Sequence, residues 1–318
     1  MNNKKPLYAH LCMFAACAIW GLMAPVGKDA MTHGIDGLSM VSFRVAGGAV
    51  LFWALSFLTT LFSSITHQPS AINPPEHVPL KDKLKFGAAA VFGLVCNQCC
   101  FTLGLSITSP VNASIVTTSM PIFAMILSFI ILREPITTKK VGGVLIGCLG
   151  AVILILTSVT AGNSKVGNIR GDLLVLGAQL SYALFLSLFN KIIKKYNVVT
   201  VNKWMFLWAT LFIWPFTFSH VAAIDWPALT LTTWLETAYV VVFGTFIGYI
   251  LIINAQKVLR PTVVSVYNNV QPIVSVCVSI ALGIAIFKPT QALAVLLIFC
   301  GVWLVTKSKS RRDMEQKR

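Results

Sequence analysis

"PTVVSVYNNVQPI" occupies Pro261–Ile273, inside a long apolar run. It sets Tyr267, Asn268, Asn269 and Gln271 between two prolines eleven residues apart. An earlier stretch, "PVNASIVTTSMPI" at Pro110–Ile122, has the same two prolines with polar residues between them. Displaced by 151 positions, Pro110 falls on Pro261, Ser114 on Ser265 and Pro121-Ile122 on Pro272-Ile273. The register holds without a gap from 91 to 153, setting Val91-Phe92-Gly93 on Val242-Phe243-Gly244, Ser128 on Ser279 and Gly150 on Gly301. Apolar sequence matches Val and Leu by chance, but prolines, glycines and serines kept in one register mark a duplication. Upstream the displacement becomes 162, where Ala16 meets Ala178 and Trp20 meets Tyr182.

The duplicated unit is built for lipid. The chain of 318 residues is 56% hydrophobic and 11% charged, with a mean hydropathy of +0.80. Soluble domains carry about 25% charged residues, so this chain cannot cover a surface facing water. A helix crosses the hydrocarbon core with roughly 20 apolar residues. Ten such runs are expected, near 8–27, 38–62, 84–106, 110–132, 139–157, 172–191, 203–220, 234–256, 262–287 and 290–306. The segment 63–83, with Pro69, Pro74, Pro75 and Pro79, reads as a linker. The N-terminal run continues through Ala30 without a small-residue cleavage site, and reads as a first span rather than a signal peptide.

The expected fold is therefore an all-α integral membrane protein of ten transmembrane helices in two five-helix repeats, 1–160 and 161–318. Five is odd, so the second copy enters the membrane from the opposite side and the repeats are inverted. Inverted repeats suit transporters, because two related halves can exchange which side is open, with the substrate near the midplane.

The net charge of +15 raises nucleic acid as a partner, but the placement of the charge gives a different reason for it. With the N-terminus in the cytoplasm, 20 of the 25 basic residues fall in cytoplasmic segments, leaving Lys28, Arg44, Lys165, Arg170 and Lys288. That is the positive-inside bias, with both termini cytoplasmic, and nucleic acid is not an expected partner. The eight cysteines all fall within expected spans, and Cys96-x-x-Cys99-Cys100 lacks a second Cys or His pair at zinc-ribbon spacing. They read as small apolar core residues, with no metal or other cofactor expected.

An interior proline removes a helical hydrogen bond, which a membrane tolerates where the freed carbonyl finds protein or cavity water. At about 100° per residue, Tyr267, Asn268, Gln271 and Ser275 share one arc, with Asn269 off it. Amides facing lipid are costly, so the arc faces the bundle interior. There it either links helices, at about 0.6 kcal/mol per bond, or lines a path for solute. Further candidates are Asn97 and Gln98 on the third span and Tyr249, which aligns with Gln98, on the eighth, followed there by Asn254 and Gln256. Trp20 on the first span and Gln179 and Tyr182 on the sixth complete the set. Packing or an interfacial belt is the alternative for Trp20. Arg44 is set well inside the second span; an intramembrane charge marks a functional site by default, with Asp29, Asp36 or a helix carbonyl as the structural alternative.

The stretch "PIFAMILSFIILREPITTKKVGGVLIGCLGAVILIL", Pro121–Leu156, resembles the hallmark of the drug/metabolite transporter superfamily, and of EamA-type permeases within it. A proline in the fourth span is followed by a turn, Leu132-Arg133-Glu134, and by the glycine-rich helix Gly143-Val144-Leu145-Ile146-Gly147 with Gly150. Trp20-Gly21 and Phe43-Arg44 are similar to family features too, and the resemblance covers about 8–306. It implies ten helices, an inverted repeat, and export or exchange of small metabolites such as amino acids. The second copy departs from the pattern, with Ala285 matching Glu134.

The candidate path holds amides, hydroxyls and aromatics but no deep carboxylate. That disfavours phosphate dianions and multiply charged cations and favours a neutral or zwitterionic solute. A membrane enzyme needs positioned acids, bases or nucleophiles. The five histidines are expected in loops or at span ends, and neither G-x-S-x-G nor H-E-x-x-H occurs. A receptor or scaffold leaves the duplication without a purpose.

Overall fold

The computed structural model describes residues 4–66, 76–108, 113, 116–158, 169–274, 277 and 289–309. Each expected span overlaps a helix among them, 110–132 and 262–287 only in part because the rest of those runs lies outside the described residues, and no strand occurs among them. The helices are α1 (Lys4–Thr32), α2 (Gly37–Thr66), α3 (Leu80–Ile107), α4 (Met120–Leu132) and α5 (Thr138–Ser158). The second set is α6 (Ile169–Leu188), α7 (Val198–Ala222), α8 (Leu231–Val258), α9 (Pro261–Tyr267) and α10 (Pro289–Thr306). A short helix, Asn190–Lys195, joins α6 to α7. Among the described residues, six helices are long and apolar enough to cross a membrane: α1, α2, α3, α6, α7 and α8. Pro110 and Ser114 before α4, and Ser275 and Ala285 after α9, lie outside the described residues.

Several helices run a few residues beyond their apolar runs because polar residues fix their starts. Asn197 caps α7 by accepting from the Val199 N–H at 2.9 Å, and Thr230 caps α8 by accepting from the Thr233 N–H at 3.2 Å. Asp36 and Thr137 do the same for α2 and α5, accepting from Ser39 and Lys140. Each such cap satisfies an N–H that the helix itself leaves free. At its other end α4 stops on Arg133 at φ 53°, a left-handed residue that lets the Glu134 N–H reach the Ser128 carbonyl at 3.1 Å. Glu134 Oε2 then pairs with Lys140 Nζ at 2.9 Å, both side chains buried, so the turn carboxylate is a structural partner of α5.

The packing follows the duplication. α2 packs on α7, α4 on α9 and α5 on α10, each helix on its own counterpart, while α1 packs on α8 as α3 packs on α6. The α5–α10 contact brings backbones together: a Cβ added at Gly301 would meet Gly147 Cα at 2.7 Å. Small residues at such crossings replace the hydrophobic drive that lipid removes. Large apolar side chains such as Phe57, Phe62, Phe216 and Leu296 face outward, the reverse of a water-soluble surface.

Candidate functional site

Two pairs of local distortions build the site. The middle of α3, Val91–Cys96, and the middle of α8, Val240–Ile247, are π-helical at positions related by the 151 displacement. A π turn leaves backbone carbonyls out of the regular ladder. Side chains from the other half take them. Ser181 Oγ on α6 donates to the Phe92 carbonyl at 2.8 Å, and Trp20 Nε1 on α1 donates to the Gly244 carbonyl at 2.8 Å. The second pair lies before the prolines. The helix yields to a turn at Thr118–Ser119 ahead of Pro121, and to a 3₁₀ turn at Asn268–Val270 ahead of Pro272. A proline cannot donate to the carbonyl four residues back, here Thr117 and Asn268.

A cavity of about 110 Å³ opens where these four distortions meet. From the first half it is bordered by Trp20 and Met23 of α1, Arg44 of α2, Asn97, Gln98 and Phe101 of α3, and Thr117. From the second it is bordered by Gln179 and Tyr182 of α6, Tyr249 of α8, and Asn268 and Gln271 after α9. Gln98 Nε2 donates to the Tyr249 hydroxyl at 3.2 Å, so two repeat-equivalent residues meet across the pseudo-axis. Asn97 Nδ2 donates to the Ala178 carbonyl at 3.0 Å. Trp20 packs edge-on against Tyr249, ring centroids 5.8 Å apart. Beside Met120, whose sulfur its amide contacts, Asn268 accepts weakly from Gln271 Nε2 at 3.4 Å.

Of the residues expected on a path, Trp20, Gln98, Gln179, Tyr182, Tyr249, Asn268 and Gln271 border the cavity together with Arg44. Tyr267 does not: its hydroxyl meets His10 Nδ1 at 2.8 Å. The 3₁₀ turn after Tyr267 advances about 120° per residue instead of 100°, which takes it off the arc of Gln271. His10 lies in the second turn of α1, near the start of its span. Asn269, off the arc as expected, is buried beside Gly147 of α5. Of the two polar residues late in α8, Asn254 bonds the Ile250 carbonyl and Gln256 donates to the Tyr182 hydroxyl at 3.3 Å. With His10–Tyr267, the Gln256–Tyr182 bond ties the bundle together on the side of the α1 start and the α8 end.

Arg44 finds neither carboxylate considered for it. Asp36 bonds the Ser39 N–H and His220 Nδ1, the latter at 2.8 Å, and Asp29 pairs with His33 at 3.4 Å. Arg44 Nε donates instead to Thr245 Oγ1 at 3.2 Å, a hydroxyl of the α8 π segment that itself donates to the Val240 carbonyl. Sequence reasoning missed Met23, Phe101, Thr117 and Thr245. Thr117 was open to it, since the 151 displacement lays it on Asn268. A hydroxyl in the middle of an apolar run marks Thr245 in the same way. Met23 and Phe101 carry no mark that separates them from other apolar residues.

The eight cysteines include no disulfide among the described residues, and no group of three or more metal-ligating side chains occurs among them.

Comparison with known proteins agrees with this architecture. The EamA-like transporter family matches residues 7–156 and again 169–307. The uncharacterized transporter YetK of Bacillus subtilis is 23% identical over 313 residues, 98% of this chain and 90% of its own. An uncharacterized transporter of Archaeoglobus fulgidus is 25% identical over 292 residues, 85% of this chain and all of its own. A solved structure titled "Crystal structure of protein" superimposes with a TM-score of 0.70 at 16% identity, over 95% of this chain and 98% of that one, and so shares the fold. With a family match to each half of a duplicated, lipid-facing helical bundle, the chain belongs to the EamA-like transporter family.

Proposed function

We propose that the protein moves small neutral or zwitterionic organic metabolites, amino acids among them, by alternating access between two inverted repeats, in the export or exchange direction. The observation that carries this reading is the cavity. It lies between the halves, and the kinked helices that border it are repeat partners. Among its described residues, amides, hydroxyls and aromatic rings share its wall with a single charged side chain, Arg44. Such a wall accepts an apolar body with a polar head and offers no acid to a multiply charged cation. The topology that goes with this places both termini in the cytoplasm of a bacterial inner membrane, supported by the distribution of basic residues. A membrane-embedded enzyme is the second class, and among its described residues the cavity wall carries no carboxylate, histidine or cysteine in its favour.

The test is efflux from proteoliposomes loaded with common amino acids and aromatic metabolites, with and without Gln271→Ala and Asn268→Leu. The expected result is saturable flux of at least one solute, lost in both variants while they still insert. Flux unchanged in both removes the α9 amides from the path.

A further inference from the structure

Arg44 is a cation at the wall of the central cavity without a counter-ion among the described residues. It is 8% exposed, borders the cavity, and is paired with no carboxylate among the described residues. Its one side-chain hydrogen bond among the described residues, from Nε to Thr245 Oγ1, fixes the plane of the guanidinium and leaves both terminal amino groups without a partner there. Those two groups form a planar fork that matches the two oxygens of a carboxylate. A buried charge without a partner is costly, and within a membrane it marks a functional site. A second group in the same wall also lacks a partner: Gln179 is 4% exposed, borders the cavity, and its amide makes no hydrogen bond among the described residues. Gln98, 2% exposed, donates to Tyr249 while its Oε1 accepts nothing. The wall thus holds one cationic fork, unused amide capacity, and the rings of Trp20 and Phe101, with no further charge among its described residues.

We propose that Arg44 is a specificity-determining residue that binds a carboxylate group of the solute, so that the cargo class is small monocarboxylates, free or zwitterionic. The proposal rests on the transport reading above: it keeps that reading's zwitterions, drops neutral solutes that lack a carboxylate, and adds monocarboxylate anions. One positive charge balances one carboxylate. A dicarboxylate or phosphate dianion brings a second charge that nothing in the wall matches. An amine without a carboxylate meets Arg44 as a like charge. Thr245 is the positioning residue, holding the fork from the π segment of α8.

The test is calorimetric titration of the purified full-length protein in detergent, at constant chloride. The probes are the common L-amino acids, benzoate and phenylacetate, each set beside its primary amide. The amide keeps the body of the probe and removes its negative charge. At least one carboxylate binds, and its amide binds about 10- to 100-fold more weakly, the range of a charge-assisted hydrogen-bonded pair. Arg44→Gln lowers the carboxylate's affinity toward that of its amide, leaves the neutral amides of benzoate and phenylacetate unchanged, and does not weaken the cationic amino-acid amides. Thr245→Val weakens the carboxylate by a smaller factor and also spares the amide. Equal binding of carboxylate and amide to the unaltered protein overturns the proposal without any variant. Equal loss of both in Arg44→Gln, or binding of no carboxylate in the panel, overturns it too. Flux of the same probes in proteoliposomes separates the two claims. A carboxylate bound through Arg44 but not moved contradicts transport of that solute and leaves the site standing. One moved equally well by Arg44→Gln removes the site and leaves transport standing.

Discussion

The two π segments are the same device put to different uses. Val91–Cys96 in α3 and Val240–Ile247 in α8 occupy equivalent positions, and each has a carbonyl taken by a side chain from the other half. Leu94 lies buried in the core of the first, and the matching position in the second is Thr245, which holds Arg44. The same asymmetry runs through the site: Gln98 matches Tyr249, Thr117 matches Asn268 and Met120 matches Gln271. The duplication supplies the scaffold and its weak points. Substitutions in one copy supply the chemistry.

The α4–α5 turn gives the sharpest break in that comparison. The first copy buries Glu134 with Lys140, and the matching positions in the second copy are Ala285 and Gln291. Lys140→Met strands a buried carboxylate and costs about 3–5 kcal/mol, read as a large fall in melting temperature in detergent. The double variant Glu134→Gln/Lys140→Met regains most of it. If the single and double variants melt together, the pair does not anchor the turn.

A smaller effect separates the π glycines. A Cβ at Gly93 meets the Phe185 ring at 2.8 Å, whereas one at Gly244 meets the thioether of Met23. Phe185 is buried among Tyr182 and Phe189 and cannot turn aside, while a methionine can. Gly93→Ala therefore costs about 1–3 kcal/mol and Gly244→Ala less, by thermal unfolding of the two variants side by side. Equal losses mean that the two segments are packed alike.

The smallest effect lies at the link between the α1–α2 turn and α7. Partial burial pushes the Asp36 carboxyl up, but hydrogen bonds from Ser39 and the nearby His220 outweigh it and hold the group below the ordinary aspartate range. A depressed carboxyl contributes stability above its ordinary value, and that stability is lost as pH falls through the folded value. Asp36→Asn thus lowers stability at neutral pH by less than about 1 kcal/mol, and the difference from the unaltered protein disappears in acid. A difference that persists in acid points to packing rather than charge.

How far the sequence discloses this molecule depends on what stands out against apolar residues. Prolines, glycines and amides do, so the duplication, the run of spans and most of the cavity wall are legible from residue types and their spacing. The π segments are not, because a shifted hydrogen-bond ladder leaves no compositional mark in "VFGLVC" or "VVVFGTFI". A uniform helical arc turns Tyr267 toward the cavity only because it ignores the 3₁₀ turn that Pro272 imposes just after it. Whether Arg44 has a counter-ion is also hidden, since Asp29 and Asp36 are close enough in sequence and are separated from it only by the fold.

The most direct test fills the cavity between the halves. Thr117→Trp adds an indole to a space of about 110 Å³ at the position matching Asn268. The measurement is solute counterflow in proteoliposomes, beside Leu296→Trp on the lipid-facing surface of α10. Counterflow abolished by Thr117→Trp and kept by Leu296→Trp is the result expected if solute crosses through this cavity. Full counterflow in both variants would show that it crosses elsewhere.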